Sequence, residues 1–252
     1  MKKSVKQFLL ISFAISYPCF GVIVYSRTAF GDIFNNPFYL CLFILGCLGP
    51  FISSFIAHVL NKEELGGIEG FKGKLKIFKS TKAIILIPLF LITHYGFAML
   101  LKSVYKYGDI MDFFRYLPLM VVILGSQEIG WRGIVQPAFE EKKGFGKSSI
   151  TTGLFWALWF LPLIYIPKFI ILPQFYAQFA AYLVGIGILL TTLYKSSGSI
   201  MYCVILSSLL FALSPVIILK QSFMLVGIAL VDAIVAHKFK DKVFTSAKSI
   251  KI

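Results

Sequence analysis

An all-α, polytopic membrane fold with about eight spanning helices is what this sequence predicts, and three observations predict it. Apolar residues fill 58% of the 252 positions and charged residues only 14%, well below the roughly 25% of a soluble domain. The apolar residues fall in blocks of about 20, the length that crosses a hydrocarbon core. The basic residues gather in the gaps between blocks, heavily in alternate gaps. No stretch is polar enough to make a soluble domain, so residues 1–252 are expected to form a single membrane domain.

The first block is 7–26. Lys2, Lys3 and Lys6 before it resemble the start of a signal peptide. The run from Phe8 to about Tyr25 is too long for such a segment, and no small-x-small cleavage site follows, so a retained helix is expected. The second block, 37–60, opens at Pro37 and closes at Asn61–Lys62. Residues 61–82 then carry Gly66, Gly67, Gly70, Gly73 and a run of lysines. Within them Gly70–Lys82 alternates basic and apolar residues. This fits either a short amphipathic segment on the inner leaflet or a plain basic loop. The remaining blocks cover about 83–101, 114–136, 148–166, 176–194, 199–219 and 222–237. Pro137 marks an end or a kink of the fourth, and Pro167 bounds the fifth.

The charges test the count. With the N-terminus in the cytoplasm, 18 Lys and Arg fall in inside segments and 6 in outside ones, with Arg132 within a span. That bias obeys the positive-inside rule and needs an even number of spans, so both termini are expected in the cytoplasm. The many Lys, Ile and Phe residues suggest a bacterial genome, hence a bacterial cytoplasmic membrane. The net charge of +14 sits at block ends rather than in a basic domain with exposed aromatics, which sets nucleic acid aside. Cys19, Cys41, Cys47 and Cys203 all lie inside apolar blocks, without zinc-site or disulfide spacing, and read as small apolar core residues.

A charge inside a span costs roughly 2.5–3.5 kcal/mol on insertion scales, so each one is a functional candidate. The strongest case is in the fourth block, Ser126-Gln127-Glu128-Ile129-Gly130-Trp131-Arg132-Gly133. Glu128 and Arg132 are four residues apart on one helix face, acid first, the favourable order for an ion pair. Gln127 points about 100° away from Glu128. Gly130 and Gly133 let a neighbouring helix approach. A pair that locks helices together is the structural alternative to an active site. Asp232 is the second intramembrane acid, placed one turn from the cytoplasmic end and expected at the interface. His58 and His237 are expected near span ends, and His94 as a hydrogen-bonded packing residue at mid-span. No His-x-x-x-His or His-Glu-x-x-His pair occurs, so no metal site is written in the usual local form.

The segment Gln127-Glu128-Ile129-Gly130-Trp131-Arg132-Gly133-Ile134-Val135-Gln136-Pro137 resembles the first motif of the CPBP family, the CAAX prenyl proteases and bacteriocin-processing enzymes also labelled Abi. Glu141-Lys142-Lys143-Gly144-Phe145-Gly146 resembles the family's basic turn. Trp156-Ala157-Leu158-Trp159-Phe160-Leu161-Pro162-Leu163 resembles its second motif, and Leu193-Tyr194-Lys195-Ser196-Ser197-Gly198-Ser199 the approach to its third. The resemblance implies an eight-helix bundle around an intramembrane cavity, with a family core at about 113–220. Active members are intramembrane endopeptidases. A glutamate and a histidine activate water, and a further histidine and an Asn hold the oxyanion or, in a metalloprotease view, help bind a metal.

By that resemblance the four family catalytic positions are Gln127, Phe160, Ser207 and Phe211, and none keeps its catalytic group. Glu128 and Arg132 survive, and with Trp131 and Trp156 are expected as structural or possible site residues. No cofactor or metal is expected. The first functional expectation is an inactive CPBP-like protein that binds a peptide or membrane-protein partner, in bacteriocin immunity or in peptide maturation or export. The second is an active endopeptidase rebuilt around Glu128 with Ser207 or His94. The third is a channel or transporter, supported by Glu128, Arg132 and Asp232.

Overall fold

The structure is a computed structural model. It describes residues 1–169, 171–220 and 224–244; side chains are not described at 106, 237 and 239–244. The positions of His237, Lys240 and Lys242, and the whole of Lys248 and Lys251, therefore lie outside the described side chains.

The fold is all-α and polytopic. Helix α1 spans Lys3–Tyr25 and α2 spans Pro37–Leu60. Pro37 suits the first helical turn, where its missing N–H has no partner to lose, and the Asn36 side chain accepts from the Phe38 N–H at 3.0 Å. Helix α3 is Thr81–Leu100, capped by the Ser80 hydroxyl, and α4 is Ile110–Ile123, capped by Asp109. Helix α5 is Gln136–Phe160, α6 Tyr176–Ser197, α7 Ile200–Leu213 and α8 Met224–Phe244. Five segments are long and apolar enough to cross a membrane, and the two shorter apolar helices are Ile200–Leu213 and Met224–Ala236. One of the five, Ile110–Tyr165, is two legs rather than one.

The reversal in that segment sits at Gly144, whose φ of 71° ends one leg and starts the next. A straight helix would separate Phe139 from Phe155 by about 24 Å; their rings stack at 5.9 Å. Pro137 therefore does not end the fourth span. It supplies no N–H to the carbonyl of Gly133, and the turn just before it, Trp131–Val135, widens to π geometry while the helix runs on.

Glycines set the closest crossings. A Cβ at Gly153 would sit 2.9 Å from the Cα of Val184, and one at Gly185 would sit 2.6 Å from the Cα of Ala229. So α6 packs backbone-close to α5 on one side and to α8 on the other. A Cβ at Gly130 would run into the Phe8 ring and sit 3.1 Å from the Pro50 carbonyl oxygen, which is the close approach expected of it.

The loops sort into two rims. Lys2 pairs with Glu141 at 2.8 Å, Lys195 pairs with Glu140, and the Ser199 hydroxyl donates to the Lys76 carbonyl at 2.8 Å. These contacts put the chain start and the segments near 76, 141 and 195–199 on one rim. On the opposite rim the Phe30 N–H donates to the Pro167 carbonyl at 2.8 Å. There, too, a two-stranded antiparallel clasp joins β1 (Val104–Tyr107) to β2 (Ile217–Leu219). Residues 104–107 and 217–219 carry no strand signal in a sequence read for spanning helices.

The first rim narrows one expectation and corrects another. Gly67–Lys74 is a short helix rather than a plain basic loop, and the stretch after it is strapped to α7 by Ser199 and by the Tyr202 hydroxyl donating to the Phe78 carbonyl. His58 is fully buried, with Nδ1 2.8 Å from the Ser54 carbonyl, because Phe71 of that short helix covers it. Of the cysteines, Cys19, Cys47 and Cys203 are buried, but Cys41 is exposed on the outer face of α2.

Candidate functional site

Between Ile123 and Gln136 the chain passes through a tight turn (Gly125–Gln127), a single α turn (Glu128–Gly130) and the π turn. This irregular stretch is buried except at the half-buried Ser126 and aims successive side chains at different helices. Gln127 points toward α2 and α5, and Glu128 toward α7.

Gln127 is saturated. Its amide nitrogen donates to the carbonyls of Cys47 (3.1 Å) and Ile123 (2.6 Å). Its amide oxygen accepts from the indole N–H groups of Trp131 (3.4 Å) and Trp156 (3.3 Å). A primary amide has two donor hydrogens and two acceptor lone pairs, and all four are used. Two acceptors on one side and two donors on the other also fix which end is oxygen. A carboxylate here would set one negative oxygen against two backbone carbonyls.

Glu128 and Arg132 form the ion pair that their spacing predicts, with Nε 3.1 Å from Oε2 and both side chains fully buried. The guanidinium carbon lies 5.0 Å from the centre of the Trp156 ring, a favourable cation–π placement. One terminal nitrogen lies against Gly187 of α6, where a Cβ would come within 3.2 Å. The Ser207 hydroxyl faces the Glu128 carboxylate from α7. The pair thus joins α4 to α5, α6 and α7.

The other two family positions meet nearby. Phe160 and Phe211 stack at 6.4 Å with 21° between planes, and Trp156 sets an edge against both, at 5.8 and 6.0 Å. Both phenylalanines line an apolar cavity of about 170 Å³ that reaches toward the clasp and is also walled by Phe43, Phe179, Tyr182 and Ile217. Gln127, Phe160 and Phe211 are therefore brought together around Trp156, the two phenylalanines on the cavity wall, while Ser207 lies beside Glu128. Among the described residues no group of three or more His, Cys, Asp or Glu side chains is arranged to hold a metal ion, and amide, phenyl and hydroxyl groups do not fit one.

The structure also assembles a second buried polar group. His94 Nδ1 lies 2.7 Å from Asp232 Oδ2, and His94 Nε2 lies 2.8 Å from the Tyr182 hydroxyl. Asp232 is not interfacial: it is fully buried. Helix α8 runs on to Phe244, so Asp232 lies well inside it rather than a turn from its end. His94 is a hydrogen-bonded residue as expected, but its partners are far away in sequence. Two intramembrane ionisable groups, each costly alone, were the signal that they pair.

Fold and buried polar cluster together define a multi-pass helical membrane protein. Residues 109–213 match the family described as Type II CAAX prenyl endopeptidase Rce1-like. The chain is also similar to CAAX prenyl protease 2 of Methanococcus maripaludis, 26% identical over 180 residues, covering 66% of this chain and 64% of the relative. The match thus spans a little under two thirds of that relative's length. Over residues 109–213 the chain is thus similar to the CAAX-protease-like membrane proteins.

Proposed function

We propose that this protein is a catalytically inactive member of its family that binds a peptide or a membrane-protein partner in the cavity beside Phe160 and Phe211. The observation that carries the reading is the saturated Gln127 amide. A general base needs a lone pair free for a water proton, and the Gln127 oxygen has both occupied by indoles. Phe160 and Phe211 offer neither donor nor acceptor to a reacting carbonyl. Loss of one member of a cooperative site typically costs several orders of magnitude in rate.

The reading extends to a bacterial cytoplasmic membrane with the lysine-rich rim and both termini inside, and to roles in bacteriocin self-immunity or in peptide maturation or export. Purified protein incubated with prenylated and leader-peptide substrates is expected to release no product. Cleavage that disappears in Glu128→Gln would overturn the reading.

One observation favours a second reading, an endopeptidase rebuilt around Glu128: the Ser207 hydroxyl faces its carboxylate. Against it, Glu128 is fully buried and absent from the cavity wall, where Phe160 and Phe211 stand instead. The same Glu128→Gln comparison separates the two.

A further inference from the structure

The group formed by Asp232, His94 and Tyr182 has no counterpart among the family motifs. His94 lies before residue 109 and Asp232 after residue 213, so two of the three fall outside the matched segment. All three come from different helices, and Tyr182 also forms part of the cavity wall.

Counting hydrogens decides which way the Tyr182 hydroxyl points. A net charge at this depth is costly, and the arrangement carrying none has one proton shared by Asp232 and His94. That proton has two homes. If it is on the imidazole, both ring nitrogens bear hydrogen. If it is on the carboxyl, the acid donates to Nδ1 and the ring hydrogen sits on Nε2. In both cases Nε2 is the donor and the Tyr182 oxygen the acceptor, so the phenol's own hydrogen is unused by His94. Only a net-negative group would need Tyr182 to donate to the ring.

That hydrogen has no second acceptor among the described residues, although Tyr182 is only 9% exposed. The other hydroxyl on the cavity wall is already engaged: Ser214 donates to the Phe211 carbonyl at 2.8 Å. Among the described residues the apolar cavity wall thus carries, at Tyr182, a hydroxyl whose hydrogen has no acceptor besides the His94 ring.

We propose that Tyr182 is the recognition residue of this cavity and donates to a carbonyl oxygen on an otherwise apolar ligand, with His94 and Asp232 as its positioning residues. The proposal rests on the reading that the cavity binds rather than cleaves. An acyl-chain ester and an apolar peptide amide share this chemistry.

The test uses the full chain in lipid nanodiscs and two probes of equal length, methyl 12-bromododecanoate and 1-bromotetradecane. Bromine quenches nearby indoles, and Trp156 contacts the two phenylalanines on the cavity wall. The ester is expected to bind about five-fold tighter than the bromoalkane, the scale of one net hydrogen bond. Tyr182→Phe should abolish that preference while leaving the bromoalkane unchanged. Equal binding of both probes to the unsubstituted protein, or an ester preference that survives in Tyr182→Phe, overturns the proposal.

Infrared spectra of the ester labelled with ¹³C at its carbonyl give a second readout that needs no variant. The bound carbonyl stretch should move to lower wavenumber than in lipid, and an unshifted stretch overturns the proposal. In the double variant His94→Leu/Asp232→Leu, which removes both charges together, the shift should be lost while bromoalkane binding persists. A retained shift removes His94 and Asp232 from the proposal. The N-methyl amide of the same acid, run in parallel, tells the two carbonyl sources apart by which probe is held more tightly. Hydrolysis of a bound ester with a shifted carbonyl would support the donor and overturn the non-catalytic reading, so the two fail separately.

Discussion

Two buried polar groups lie in this bundle, and they are built on opposite plans. Around Gln127 the polar capacity of the amide is spent inward, on two carbonyls and two indoles, and nothing is left for a ligand. Around His94 the chain runs outward, from Asp232 through the imidazole to a phenol on the cavity wall. The first lies inside the segment that matches the endopeptidase family, and the second draws two of its three residues from outside it. A buried titratable residue is therefore a poor guide to the active surface until its hydrogen bonds are counted.

The comparison can be broken most sharply at Arg132. Arg132→Ala leaves Glu128 buried without its counter-charge and should cost about 3–5 kcal/mol, read as a collapse of the thermal unfolding midpoint in detergent. Glu128→Gln/Arg132→Met, which removes both charges, should recover most of that loss. Recovery of nothing would mean that the arginine acts through packing on Trp156 rather than through charge. Next comes Gln127→Glu. It replaces an amide N–H₂ facing two carbonyls with an oxygen, and a loss of about 1–3 kcal/mol is expected. An unchanged midpoint would show that the surroundings still accept the family's acid, and would weaken the inactive reading.

On the other side, Asp232→Ala strands the imidazole and should cost about 1–3 kcal/mol. Tyr182→Phe leaves the buried Nε2–H of His94 without its acceptor and should likewise cost about 1–3 kcal/mol. Smallest of all, Lys2→Ala removes an ion pair at the rim and should leave the midpoint within about 0.5 kcal/mol.

Much of this was legible in the sequence, and the reasons differ by region. The spans follow from apolar block length. The ion pair of Glu128 and Arg132 follows from four-residue spacing on one helix. The grouping of Gln127, Phe160, Ser207 and Phe211 follows only from motif order, since no local period links them. What escaped was long-range or backbone in origin. The saturation of Gln127 depends on the Cys47 carbonyl, 80 positions away. The pairing of His94 with Asp232 spans 138 positions, and a short estimate of α8 pushed Asp232 toward the surface. The clasp of β1 and β2 is made by main-chain groups, which composition does not mark.

That clasp has a consequence for assembly. Val104 opposite Leu219 encloses the whole family-matched segment, and α8 follows directly after it. During synthesis, β1 and His94 emerge more than a hundred residues before β2 and Asp232, and segments made earlier generally fold first. The earlier helices must therefore wait in the bilayer with an open edge and an unmatched imidazole. Arrival of β2 and α8 closes both, at the rim through the clasp and at depth through Asp232. Docking of α8 is thus coupled to completion of the cavity wall, because the phenol is oriented only once Asp232 is in place.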